Sequence, residues 1–199
     1  RAEMEEARVK NYASYLNVWE GECLQALDGA VYAEELAAAQ AEGRITAVKY
    51  DQAAPVNTYW DLGWADSTAI WFAQKVGLEY HVIDYLEDSR KPLQHYIREI
   101  QAKGYVYAKH YLPHDAKAKE LGAGLSVEEQ LQAVFGGPAV VIVPQVSVHE
   151  GIQALRALWP HLWIDKERCA DGLSALRHYH YAINEQTGRV SREPEHDWS

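Results

Sequence analysis

Two aspartates in this 199-residue chain stand where a carboxylate has to be explained. Asp61 ends the apolar run Tyr59-Trp60-Asp61-Leu62-Gly63, and Asp115 falls in Leu112-Pro113-His114-Asp115-Ala116. A carboxylate among large aromatics is costly unless it is paired, hydrogen-bonded or bound to a metal. Taken singly, each has an ordinary reading. Asp61 serves equally well as a hydrogen-bond acceptor for the turn at Gly63-Trp64. Asp66 reads more readily as a cap of that same turn than as a metal ligand, and Asp115 alone is a loop or helix cap. Taken as a pair held side by side, Asp61 and Asp115 would repel one another. A divalent cation bound through oxygen is the usual remedy.

Around Asp115 the chain is locally basic, with Lys109, His110, His114, Lys117 and Lys119 close together. Such a stretch is as readily a solvated loop, but beside an acidic metal site its lysines could hold phosphates. His81, His178 and His180 read as surface or packing residues, the last two on a terminal helix. No HExxH or Cys/His spacing points to zinc. There is no GxxxxGK[ST] loop, so the chain alone is no P-loop ATPase, and no serine-nucleophile elbow occurs.

The bulk composition sets the frame. A net charge of −10 argues against gripping nucleic acid by overall charge, so any DNA contact needs a local basic patch or metal ions. Hydrophobic content of 48% and charged content of 24% are ordinary for one globular domain with an appended arm. No apolar run is long enough to cross a membrane, and the polar opening is no signal peptide. Cys23 and Cys169 are isolated thiols, read as buried small hydrophobes in a reducing cytoplasm. The chain opens on Arg1, which suggests a fragment.

Positioning the aspartates falls to a succession of short elements. Residues 1–30 read as a charged helical lead-in with a turn at Asp28-Gly29. Tyr32 to Gln40 favours a helix with Tyr32, Leu36 and Ala39 inward and Gly43 as its stop. Val56–Leu62, Thr68–Gln74 and Leu78–Leu86 read as three strands with short connections, hence an antiparallel meander. A helix comes next from Pro92 to Lys103, then a strand from Tyr105 to Leu112. Ser126-Val127-Glu128-Glu129 is a capping box opening a helix that Gly136-Gly137 ends. Ala139–Val143 is a short parallel strand. A helix with Ile152, Leu155 and Leu158 inward stops at Pro160, and another spans Asp171–Ile183. Gln186–Ser199 is an irregular tail. This order predicts an α/β, RNase H-like (RuvC/integrase-type) mixed sheet. Its first and fourth strands are parallel neighbours, which sets Asp61 beside Asp115.

Several ordered segments together resemble the nuclease domain of tailed-phage terminase large subunits. Trp60-Asp61-Leu62-Gly63-Trp64-Ala65-Asp66-Ser67-Thr68-Ala69-Ile70-Trp71 resembles that family's first nuclease motif, and Tyr111-Leu112-Pro113-His114-Asp115-Ala116 its second. Val18-Trp19-Glu20-Gly21-Glu22 resembles the join from the packaging ATPase. Gly29-Ala30-Val31-Tyr32 and Glu42-Gly43-Arg44-Ile45 resemble the segments just after that join. Asp165-Lys166-Glu167-Arg168-Cys169 and Leu173-Ser174-Ala175-Leu176-Arg177-His178-Tyr179 are similar to later segments.

The resemblance implies an endonuclease that cleaves concatemeric double-stranded viral DNA during packaging. Residues 1–30 would then be the join from a missing ATPase domain and residues 31–199 the nuclease. Asp61 and Asp115 would be two of three acids binding two Mg²⁺ or Mn²⁺ ions, with Asp66, His114, Lys109 and Lys117 around them or on DNA phosphates. Two divalent ions outweigh three carboxylates, so the loaded site is net positive and an acidic nuclease is no paradox. The third acid is either Asp197, in His196-Asp197-Trp198-Ser199, or a residue beyond Ser199, and the reading leans to the latter. Implied partners are DNA, the ATPase domain, a small terminase subunit and a portal, with no membrane, in the host cytoplasm, the isolated domain being monomeric. Two rival readings stay open: a non-catalytic portal- or DNA-contacting module, and an actin-like or sugar-kinase ATP-binding half.

Overall fold

A computed structural model describes residues 30–63, 67–118, 124–183 and 190–195, with side chains described for all but 182, 183, 190–193 and 195. The meander is present. Strands β2 (Val56–Asp61), β3 (Ser67–Val76) and β4 (Glu79–Ser89) pair antiparallel in sequence order. β5 (Tyr107–Leu112) then pairs parallel with β2, and β6 (Val140–Ile142) parallel with β5.

On the other side, β4 pairs parallel with β7 (Leu162–Asp165), and β7 with the two-residue β1 (Ile45–Thr46). The sheet of seven strands therefore runs β1-β7-β4-β3-β2-β5-β6. Neither β1 nor β7 was expected from sequence. Two and four residues are too few to register a period, and both strands exist through partners far along the chain.

Helices cover the two faces. On one, α1 (Ala33–Ala41), α4 (Val148–Leu158) with the 3-10 turn Trp159–His161 that follows it, and α5 (Ala170–His178) bring Leu36, Ile152, Trp159 and Leu173 against Ala73, Val82 and Ile164. On the other, α2 (Leu93–Ala102) and α3 (Val127–Phe135) bring Tyr96, Ile100 and Leu131 against Val56, Trp60, Ile70, Phe72, Ile83 and Leu112. Each fully buried large side chain contributes roughly 1.5–3 kcal/mol by leaving water. α3 opens on the expected box: Ser126 Oγ accepts from Glu129 N at 3.1 Å while Glu129 Oε2 accepts from Ser126 N at 2.8 Å. α4 opens on a second such box, Ser147 with Glu150, that the sequence reading passed over.

The C-terminal region departs from expectation. The helix expected over Asp171–Ile183 ends at His178, and Tyr179 turns extended (φ −71°, ψ 106°). β8 (His180–Ile183) then forms a hairpin with β9 (Val190–Glu195), inside the stretch read as an irregular tail. His180 is thus a strand residue. Alternating aromatics His178 to Tyr181 satisfy helix and strand patterns alike, and only the pairing with β9 and the bridge to Ala30 decides. The lead-in over residues 1–29 lies outside the described residues. Among the described residues no helix is long and apolar enough to cross a membrane.

Candidate functional site

The parallel pairing of β2 and β5 aligns their C-terminal ends at one edge of the sheet, strands there lying about 4.8 Å apart. Tyr59 is opposite Tyr111, so both strands end within one or two residues of that row: Asp61 closes β2, and Leu112 closes β5. Past Leu112, Pro113 precedes a short 3-10 turn, His114–Lys117, that carries Asp115. The turn is pinned by Ala116 N donating to Pro113 O (3.1 Å), by Ala118 N donating to Asp115 O (2.8 Å), and by the buried Ala116 methyl. Both carboxylates are exposed at this edge.

The chain leaves Asp61 through Leu62-Gly63. Thr68 Oγ1 donates to Gly63 O at 2.8 Å, and a Cβ at residue 63 would lie 2.6 Å from the Ser67 carbonyl oxygen. Only glycine fits that approach. A cavity of about 230 Å³ opens here, lined by Leu62, Gly63, Thr68, Lys91, Tyr96 and Asp115 among others. Residues just past Asp61 and Asp115 itself thus share one recess. Lys91 is a cation that sequence reading missed, because it sits in the β4–α2 loop, far from the basic stretch near Asp115. Its neighbour Arg90 has a left-handed backbone, φ 55°, an uncommon conformation for a non-glycine residue.

Asp61 also stands in an acidic neighbourhood across the meander. Tyr85 on β4 donates its hydroxyl to Glu87 Oε2 at 2.6 Å. Burial first, then the Glu87 hydrogen bond and charge, then the charges of Asp171 and Asp61, push the Tyr85 phenol far above its ordinary value. Asp171 arrives on α5 because Gly172 lets that helix sit directly on the sheet: a Cβ there would lie 2.4 Å from Trp71 Cη2 and 2.9 Å from Tyr85 Cδ2. Glu87, Asp171 and Tyr85 left no local signal in the sequence.

The basic stretch is split by the fold. His114 and Lys117 share the exposed turn with Asp115. Lys109 lies back within β5, its ammonium donating to the Pro138 carbonyl. His110 faces the opposite way and is fully buried. Its Nδ1 lies 2.8 Å from Thr58 Oγ1, and burial lowers its pKa to about 4, so it is a neutral core residue and no part of a basic patch. Asp66, Lys119 and Asp197 lie outside the described residues.

Asp165, within a segment that carried the resemblance, is structural. Burial works to raise its pKa, but N–H groups of Arg168, Val48 and Glu167 outweigh that and hold it below the usual value.

Among the described residues no three of His, Cys, Asp and Glu group closely enough to hold a metal ion. The edge offers two hard oxygen donors, Asp61 and Asp115, without thiolate or clustered imidazole. That donor chemistry suits Mg²⁺ or Mn²⁺, and a complete site needs at least one further ligand.

The family described as the terminase RNaseH-like domain matches residues 58–197, from the middle of β2 past the end of β9. This chain belongs to that family. Membership removes the basis for the actin-like or sugar-kinase alternative. Among solved structures, this terminase domain is similar to the P22 large terminase nuclease domain (18% identity over 76% of this chain and 81% of that one, TM-score 0.50). It is similar to the large terminase nuclease of thermophilic phage G20c with bound cobalt (14%, 82% and 86%, TM-score 0.52). It is also similar to the large terminase of thermophilic bacteriophage D6E in complex with ATP-gamma-S (13%, 99% and 49%, TM-score 0.59), of which it spans about half the length. At these identities the likeness establishes a shared fold. No curated protein matches the chain.

Proposed function

We propose that this domain is the metal-dependent endonuclease of a phage terminase large subunit, cutting concatemeric double-stranded DNA during genome packaging. The observation that carries this is the parallel β2–β5 pairing, which brings Asp61, closing β2, and Asp115, on the turn just past β5, to one edge of the sheet. Asp61 and Asp115 hold divalent cations, two Mg²⁺ or Mn²⁺ ions in the full site, with a third carboxylate from Asp197 or from beyond Ser199. When bound, such ions lower the pKa of water for in-line attack and stabilise the leaving 3′-oxygen. The G20c nuclease has been solved with cobalt and with magnesium, which supports divalent metal use here.

The chain's own residues orient and neutralise. Gly63 approaches the Ser67 backbone closely and its carbonyl accepts from Thr68, which gives Asp61 a fixed exit from its strand. His114 and Lys117, on the turn with Asp115, and Lys91, across the recess, contact flanking phosphates. Residues 1–30 are the join to the ATPase domain, residues 31–199 the nuclease, and a small terminase subunit and a portal complete the motor in the host cytoplasm.

The test is plasmid nicking with Mn²⁺ or Mg²⁺ on this chain and on a C-terminally extended one. Asp61→Asn and Asp115→Asn should each abolish cleavage. Retained cutting in either variant, at wild-type melting temperature, sinks the assignment.

A further inference from the structure

β5 does not follow a simple alternation. The register pairs Val56 with Tyr107 but Thr58 with His110, so β5 carries one extra residue where β2 has none. The reason is visible in what must be buried. Tyr107 donates its hydroxyl to Ile100 O at 2.7 Å on the α2 side, and Leu112, five positions on, is fully buried on that same side. An odd separation in a regular strand would send the two to opposite faces. The extra residue reconciles them, as a β-bulge does.

Side chains of β2 lock the bulge. Asn57 Oδ1 accepts from Lys109 N at 3.1 Å, satisfying an N–H within the irregular step. Thr58, fully buried, sits 2.8 Å from His110 Nδ1 and accepts from Trp60 Nε1, also at 2.8 Å. The His110 ring packs on Phe135 of α3 at 4.1 Å, and its Nε2 is buried with no hydrogen-bond partner among the described residues. An apolar pair here would avoid that orphan nitrogen, so general stability does not explain the choice. A buried polar contact between two strands does specify one register over its neighbours, and this one joins β2, which ends at Asp61, to β5, which leads into the turn bearing Asp115.

We infer that Thr58 and His110, with Asn57, are positioning residues of the nuclease: they fix the bulged register of β5 on β2 and thereby the separation of the Asp61 and Asp115 carboxylates. The inference rests on the reading of Asp61 and Asp115 as metal ligands. Outer residues that orient metal ligands commonly change metal affinity by about 10–100-fold when lost.

The experiment uses Thr58→Val, Thr58→Ser and the double variant Thr58→Val with His110→Leu, each assayed in three ways. Mn²⁺ binding is followed by electron paramagnetic resonance, backbone amide exchange maps the sheet, and thermal melting reports stability. Thr58→Val should weaken Mn²⁺ binding by about tenfold and speed exchange at residues 59–61 and 111–112 well beyond that in the β3–β4 pair. Thr58→Ser, which keeps the hydroxyl, should restore both. The double variant keeps the proposal testable if Thr58→Val folds poorly. It should melt near the wild type yet still bind Mn²⁺ weakly.

Uniform exchange across the sheet, or unchanged Mn²⁺ affinity in a variant with selective exchange, overturns the inference. Asp61→Asn in the wild-type background separates the two claims. If it leaves Mn²⁺ binding intact, the metal-site reading fails, and the register claim then stands or falls on the exchange pattern alone.

Discussion

Tyr59 and Tyr111 face one another across β2 and β5, their rings stacked with centroids 5.0 Å apart and 9° between planes. They form the last aromatic row before the two aspartates, and Tyr59 is 39% exposed. Burial first, and then Tyr111, raise the Tyr59 phenol to about 12, so the Tyr59 ring is neutral near pH 7. A double-mutant cycle with Tyr59→Ala and Tyr111→Ala should give a coupling of about 0.5–1.5 kcal/mol. Strict additivity in urea unfolding would show that the stack adds nothing beyond area.

Gly172 sets how closely α5 meets the sheet. Gly172→Ala puts a methyl within 2.4 Å of the Trp71 ring, a ring itself packed on Tyr85 at 4.5 Å. Trp71 has no free rotation there, so the helix must move. The expected destabilisation is about 1–3 kcal/mol, although alanine is the better helix former. A melting temperature equal to or above the wild type's would contradict this packing.

His110 makes stability depend on mildly acidic pH. Its folded pKa is lowered to about 4 by burial, against about 6.5 in an unfolded chain, so the unfolded state takes up the proton first. Stability is therefore full above pH 6.5 and falls as pH drops towards 4, by about 3 kcal/mol if His110 acts alone. The groups against the ring are Thr58, Tyr107 and Phe135, none of them charged at these pH values. Urea titrations at pH 7.5 and 5 should show about 2 kcal/mol of this loss for the wild type and its near disappearance when Thr58→Val and His110→Leu are combined. Parallel curves for both proteins would rule it out.

Lys91 lines the recess that holds Asp115, and its role is read from salt dependence. In binding to a short duplex with Ca²⁺ replacing the catalytic ion, Lys91→Ala should reduce the slope of log K against log salt by about 1. Lys109→Ala should leave the slope unchanged, because that ammonium already serves the Pro138 carbonyl. The reverse ranking would return Lys109 to the DNA path and remove Lys91.

What the sequence determined by itself was local. Meander strands, the Ser126 capping box and the inward faces of α1 and α4 come from period and end signals of a few residues. The ordered series of segments from Val18 to Tyr179 carried the lineage, and Asp61 and Asp115 within it marked the candidate site, since residue types at fixed offsets are legible without coordinates. Tertiary structure decided everything that depends on partners distant in the chain. β7 is a strand because β4 and β1 pair with it, β1 because β7 does, and β8 because β9 and Ala30 do. His110 reads as one of several basic residues until the bulge turns it into the core, where the cost of burying charge keeps it neutral. Lys91, Glu87 and Asp171 reach the edge that carries Asp61 and Asp115 from three separate elements, and no local pattern encodes that convergence.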